Sequence, residues 1–223
     1  MAIATALWLL LLGVACRTPV LAGTGAAFLV VVAPQSLAVL AAALAEGLRL
    51  RWLGFGALAV FGFGLAAYVL ALARFDFGQL RTGVGDHWVA GGAVAISTLA
   101  CAELTQAASG GLRGLLRIAS VALWALSIAW LPVLIGAEAR WIRTRYDVRR
   151  WATVFPLGMY SVMSITGANA TGSTWMLDFG RAWAWVALVA WIATALAAAR
   201  AISPRDRAPA QSSPPRSAAG PWG

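Results

Sequence analysis

Apolar runs of nearly 20 residues recur along the whole chain, and the short links between them hold most of its arginines. Seven can be marked in order as segments A to G: near 2–16, 25–45, 52–73, 87–107, 114–136, 151–168 and 180–199. Such runs match the roughly 20 residues that a helix needs to cross the roughly 30 Å hydrocarbon core of a bilayer. A transmembrane strand reading would need apolar and polar residues to alternate, and none of the runs does so. Alanine and leucine dominate, and glycine is frequent, as membrane helices allow. The pattern predicts an all-α integral membrane protein with about seven transmembrane helices over residues 1–201. The stretch that follows, SPRDRAPAQSSPPRSAAGPWG, is too rich in Pro, Ser, Ala and Gly to bury a core. It predicts a disordered cytoplasmic tail over 202–223.

Segment A departs from the rest. Its 15 or so residues make roughly 22 Å of helix, short of the hydrocarbon core, and it starts at the initiating methionine without a flanking charge. It reads as a helix that has lost its beginning.

Composition narrows the class. The chain of 223 residues is 61% hydrophobic with a mean hydropathy of +0.79, and only 11% of it is charged. A soluble domain carries about a quarter charged residues. The net charge of +9 comes from 17 arginines without a lysine. A nucleic-acid surface would gather them on one soluble face. Here they lie between apolar runs, so the expected partner is the lipid bilayer and no nucleic acid. Cys16 and Cys101 are 85 residues apart, CxxC does not occur, and His87 is the sole histidine. That spacing supports no metal site, cofactor site or disulfide framework.

The arginines also orient the chain. The A–B, C–D and E–F links and the tail hold twelve, against five at the opposite ends: Arg49, Arg51, Arg113, Arg117 and Arg181. Positive charge concentrates in cytoplasmic loops. The expectation is a multi-pass protein of the inner (plasma) membrane with its C-terminus in the cytoplasm.

Four segments carry features worth chemistry. In segment B, Pro34, Gln35 and Ser36 sit mid-run. Such a cluster is tolerable against protein or a watery cavity, and helix–helix hydrogen bonding is the alternative. Segment C holds Gly54, Gly56, Gly62 and Gly64. No strand precedes them, so close helix packing explains them better than phosphate binding. In segment D, Asp86 can cap the start, Ser97 and Thr98 lie mid-membrane, and Glu103 lies near the far end. Glu103 either reaches the headgroups or serves a function. Segment F reads RRWATVFPLGMYSVMS from residue 149. Pro156 removes a hydrogen bond to the Ala152 carbonyl, a defect costing roughly 3 kcal/mol in a helix interior. Gly158 thins the helix just beyond. Phe155 beside that break is either a packed aromatic or a hydrophobic constriction of the kind that gates channels. No Ser-His-Asp set or carboxylate pair occurs, which argues against an enzyme.

The stretches WATVFPLGMYS, DHWVAGGAVAISTLA and VVAPQSLAVLAAALA resemble the tellurite-resistance/dicarboxylate transporter family. Its relatives include bacterial tellurite-resistance permeases, yeast-type malate and sulfite exporters and plant slow-type anion channels. The resemblance runs from about residue 2 to 200. It implies a pore of ten helices in five hairpins, with odd-numbered helices lining it and a phenylalanine on the ninth closing it. Segments A to G then correspond to helices four to ten, and B, D and F to inner helices. Phe155 falls on the gating phenylalanine and Pro156 on the proline after it. Pro34 replaces what is usually a small polar residue. Gln35, Ser36, Ser97, Thr98 and Gly158 become pore-lining candidates. The implied function is transport of small anions, C4-dicarboxylates or tellurite-type oxyanions, by a homo-oligomer, a trimer by resemblance. The first three helices are absent from the match. The alternative is a truncated protein, or one needing a partner that supplies those helices, which does not transport alone.

Overall fold

The computed structural model describes residues 25–81, 87–141 and 146–202. Segment A, the Asp86 cap and all but the first residue of the 202–223 tail lie outside the described residues. Six long helices account for most of the rest. They are α1 (Leu29–Leu48), α2 (Arg51–Ala73), α3 (His87–Ala107), α4 (Gly110–Arg140), α5 (Trp151–Thr171) and α6 (Thr174–Ile202). Short 3-10 turns occur at Gly25–Phe28, Phe77–Arg81 and Val148–Arg150, and no strand is present among the described residues. By length and composition α1, α2, α3, α4 and α6 can each cross a membrane. The 21 residues of α5 span about 31 Å. Its second half is polar for a membrane helix, with Ser161, Ser164, Thr166, Asn169 and Thr171.

Loop length dictates the pairing. Two residues separate α1 from α2, α3 from α4 and α5 from α6, so each pair folds back as an antiparallel hairpin. All three tight turns therefore share one membrane end. The other ends of the helices, at Ala73, His87, Arg140 and Trp151, share the opposite one. At that end Asp147 holds its turn by accepting from the Arg149 N–H at 2.8 Å.

The hairpins stack through their first helices. α1 packs on α3 and α3 on α5, while α2, α4 and α6 lie outside. Burial follows this layering: 89% of the α3 span is buried, against 6% of the α6 span. The side chains explain the difference. α3 is built from Gly, Ala, Ser and Thr, which let neighbouring backbones approach. α6 presents Trp185, Val189, Trp191 and Leu196 outward, as a lipid-facing helix does.

Small residues also decide how α1 sits. Ala38, Ala41, Ala42 and Ala45 follow helical spacing and form one buried stripe. They meet Leu53, Ala57 and Phe61 of α2 and Ala100 and Leu104 of α3. On the other flank, rings bind α4, α5 and α6 together. Trp124 meets Trp175 and Phe179 edge-on at 4.8 and 5.6 Å, and Phe179 stacks on Trp183 at 5.4 Å. The Trp124 indole N–H donates to Ser164 Oγ at 2.8 Å. α5, the helix carrying Phe155, is thus braced from both sides.

Candidate functional site: the inner helix layer

Hydroxyls at membrane depth need acceptors, and the helices supply them. Ser36, Ser97 and Thr98 donate to the carbonyls of Val32, Ala93 and Val94, each four residues back. Such local bonding lets polar side chains sit in an apolar solvent. Thr98 also pairs with Ser127 of α4 at 3.0 Å, and Thr105 with Ser120 at 3.2 Å. Ser97 and Thr98 are fully buried, while Ser36 is exposed.

Gln35 is buried and turned toward α2. Its Nε2 donates to the Phe61 carbonyl at 3.3 Å, and its Oε1 accepts from no donor among the described residues. Gly64 makes that position possible, because a Cβ there would lie 2.5 Å from Gln35 Nε2. The four glycines of segment C thus differ. Gly64 is required by its neighbour, Gly54 has ordinary contact, and Gly56 and Gly62 face open space.

An equally tight approach lies on α3, at a glycine pair that sequence reasoning did not single out. A Cβ on Gly91 would meet Leu134 Cδ1 at 2.5 Å and the Tyr160 hydroxyl at 2.8 Å. A Cβ on Gly92 would meet the Pro156 ring at 2.9 Å. The GG pair in a small-residue run was its available signal. Pro156 is buried in this contact, and α5 stays helical through it. Gly158, two residues on, faces open space.

Phe155 points elsewhere. It is 51% exposed although it adjoins the buried Pro156, and at helical spacing it lines up with exposed Val162 and Asn169. α1 carries a similar uncovered stripe through Leu29, Ser36 and Ala43. α3, between the two, is open only at Val89, Glu103, Gln106 and Ala107. Phe155, Ser36 and Gly158 therefore lie on uncovered surface of the inner layer, while Gln35, Ser97 and Thr98 lie behind it. Among the described residues no group of three His, Cys, Asp or Glu could hold a metal ion.

Comparison with known proteins adds a family. Residues 1–199 match the voltage-dependent anion channel family. Two uncharacterized membrane proteins of Mycobacterium tuberculosis, from strains CDC 1551 / Oshkosh and ATCC 25618 / H37Rv, are each 34% identical over 140 residues. Those matches cover 57% of this chain and 71% of each relative. No solved structure matches.

Proposed function

The chain belongs to the voltage-dependent anion channel family, and from that premise we propose that it passes small anions across the membrane along the uncovered faces of α1 and α5, with the buried α3 between them as their support. Phe155 is the gate. The observation that carries this reading is its placement: a large apolar ring, half exposed, on the uncovered stripe of an inner helix whose opposite side is packed. Pro156 anchors the turn beneath it against Gly92. The proline defect is tolerable where one side of the helix faces a cavity, and it directs Phe155 into that cavity. Ser36 and Gly158 share the conducting face. Gln35, Ser97 and Thr98 form the layer behind it, where their hydrogen bonds hold the inner helices in register. The conducting face offers hydroxyls and an aromatic rather than a fixed cation, which suits passage over retention, since a tight site slows exit.

The substrates we propose are C4-dicarboxylates or tellurite-type oxyanions. The working unit is a homo-oligomer, a trimer by family resemblance, with its C-terminus in the cytoplasm of a cell bounded by this membrane. The test is uptake of labelled malate, and separately of tellurite, into liposomes holding wild type or Phe155→Ala. Faster uptake by the variant supports the gate. Equal uptake by two folded proteins removes Phe155 from that role, and no uptake by either favours a chain that acts only with a partner.

A further inference from the structure

We infer that the crevice between α2 and α4, at the end of the molecule where the tight turns lie, is a binding site for one anionic phospholipid. The crevice holds about 490 Å³ and is bounded by the α1–α2 turn, the α3–α4 turn and the facing surfaces of α2 and α4. That volume lies within the roughly 300–1,000 Å³ typical of small-ligand sites. It exists because α2 and α4 both pack on α3 while barely touching each other.

Its chemistry is divided by depth. Arg49, Arg51 and Glu46 stand at the mouth, while Phe55, Leu112 and Leu116 line the walls. Leu58 also lines it, seven residues or about 10 Å along α2 from Arg51. Charge at an interface with an apolar slot beneath it matches a headgroup with an acyl chain. The slot opens onto lipid-facing surface, since Phe55, Leu115 and Ile118 beside it are exposed.

The two arginines are available for a ligand. Neither makes a hydrogen bond or ion pair through its side chain among the described residues. Arg113, close by, differs: its Nε and Nη2 donate to the Thr105 and Gln106 carbonyls at 3.1 and 2.9 Å. Arg49 is also an unusual choice for its backbone. It has φ 55 and closes α1 with its own N–H on Glu46 O and the Leu50 N–H on Ala45 O. Glycine ordinarily fills this left-handed closing position. An arginine there is not explained by backbone geometry, and the residue lines the crevice.

With Arg113 at the α3–α4 turn and Glu103 of α3 near Glu46 both counted, three guanidiniums face two carboxylates, which leaves the mouth net positive. Guanidinium forks match phosphate oxygens, often two bonds at a time. Glu46 can accept from a headgroup hydroxyl and repels a second negative charge. The occupant is therefore a monoanionic phosphodiester lipid with a hydroxyl-bearing headgroup, which is the chemistry of phosphatidylglycerol.

The experiment is native mass spectrometry of the full chain in detergent, with phosphatidylglycerol and phosphatidylcholine of matched acyl chains in competition. The wild type should retain one phosphatidylglycerol in about tenfold or greater preference. Arg49→Asn with Arg51→Gln should bring retention to parity, asparagine being chosen because it tolerates the left-handed backbone. If the double variant does not fold, Arg51→Gln alone should lower the preference severalfold. Leu112→Trp, which fills the slot and spares the charges, should reduce retention of both lipids. Unchanged preference in the arginine variants overturns the site. So does full displacement of the lipid by inorganic phosphate, which would make it a free-anion site.

Discussion

Pro156 of α5 sits against Gly92 of α3 so closely that a Cβ at position 92 would lie 2.9 Å from Pro156 Cγ and 3.3 Å from Pro156 Cβ. One helix gives up a hydrogen bond to hold a rigid ring, and its neighbour gives up a side chain to receive it. The contact anchors α5 one residue from Phe155. The direction of Phe155 is thus set by helix packing rather than by its own contacts.

Gly92→Ala should therefore destabilise the protein and disturb the gate together. The prolyl ring cannot turn aside, so α5 must shift, and overpacking of this kind costs about 1–3 kcal/mol. Gly158→Ala, on α5 two residues beyond Pro156, is the matched control. Nothing lies within 4 Å of its added Cβ. Its helix propensity should hold or raise stability, by up to about 1 kcal/mol. Thermal unfolding in detergent measures both, and equal melting temperatures would show that the α3–α5 contact is looser than described.

Phe155 should behave as an obstacle, not as a core residue. Anion flux should rise in the order Phe, Leu, Ala at position 155 and fall with Trp. Because the ring is half exposed, stability should stay within about 0.5 kcal/mol across the series. A melting temperature that drops in step with side-chain size, at constant flux, would instead assign the ring to packing.

Thr98 tests the layer behind. Its hydroxyl is shared between its own helix and Ser127. Thr98→Val should cost about 0.6 kcal/mol, the average for an interhelical hydrogen bond in a membrane protein. Flux should be unchanged. A large flux change at unchanged stability would move Thr98 onto the conducting face.

The helices were legible because each must present nearly 20 apolar residues to lipid, a requirement written into local composition. Their ends were less so. α4 extends to Gly110–Arg140 and α6 to Thr174–Ile202, beyond the apolar runs at 114–136 and 180–199. The first turn of α6 is packed, since Met176 is fully buried and its sulfur accepts from the Thr171 hydroxyl at 3.7 Å. Phe155 and Pro156 could be singled out because a proline in an apolar helix is a local anomaly. Their setting could not. Gly91, Gly92, Ser127 and Trp124 matter through partners 29 to 69 residues away, and periodicity along one helix carries no record of such pairs. The glycines of segment C show the same limit: four looked alike, and only Gly64 answers to a specific side chain.

Gln35 and Gly64 should be strongly coupled. Gly64→Ala places a Cβ 2.5 Å from Gln35 Nε2 and 2.7 Å from Gln35 Cδ. The amide must leave the Phe61 carbonyl while still buried, which costs about 1–3 kcal/mol. With Gln35→Ala already in place, the same glycine change should be nearly neutral. A double-mutant cycle should return a coupling of about 1 kcal/mol or more. Additive effects would mean that the two side chains do not meet.

The arginine asymmetry makes a prediction about sidedness that is independent of any gate. Five arginines lie in the 140–150 link, against two in the α1–α2 turn region, at Arg49 and Arg51. Cytoplasmic loops carry the excess of positive charge. Val148 is 70% exposed in that link. With Cys16 and Cys101 replaced by serine or alanine, Val148→Cys should react with a membrane-impermeant maleimide in inverted vesicles and stay silent in intact cells. Leu50→Cys, in the turn at the opposite end, should show the reverse. Labelling of both from one side would mean that the hairpins do not span the membrane. Labelling of each from the unexpected side would keep the hairpins and invert the molecule, placing the phospholipid crevice in the cytoplasmic leaflet.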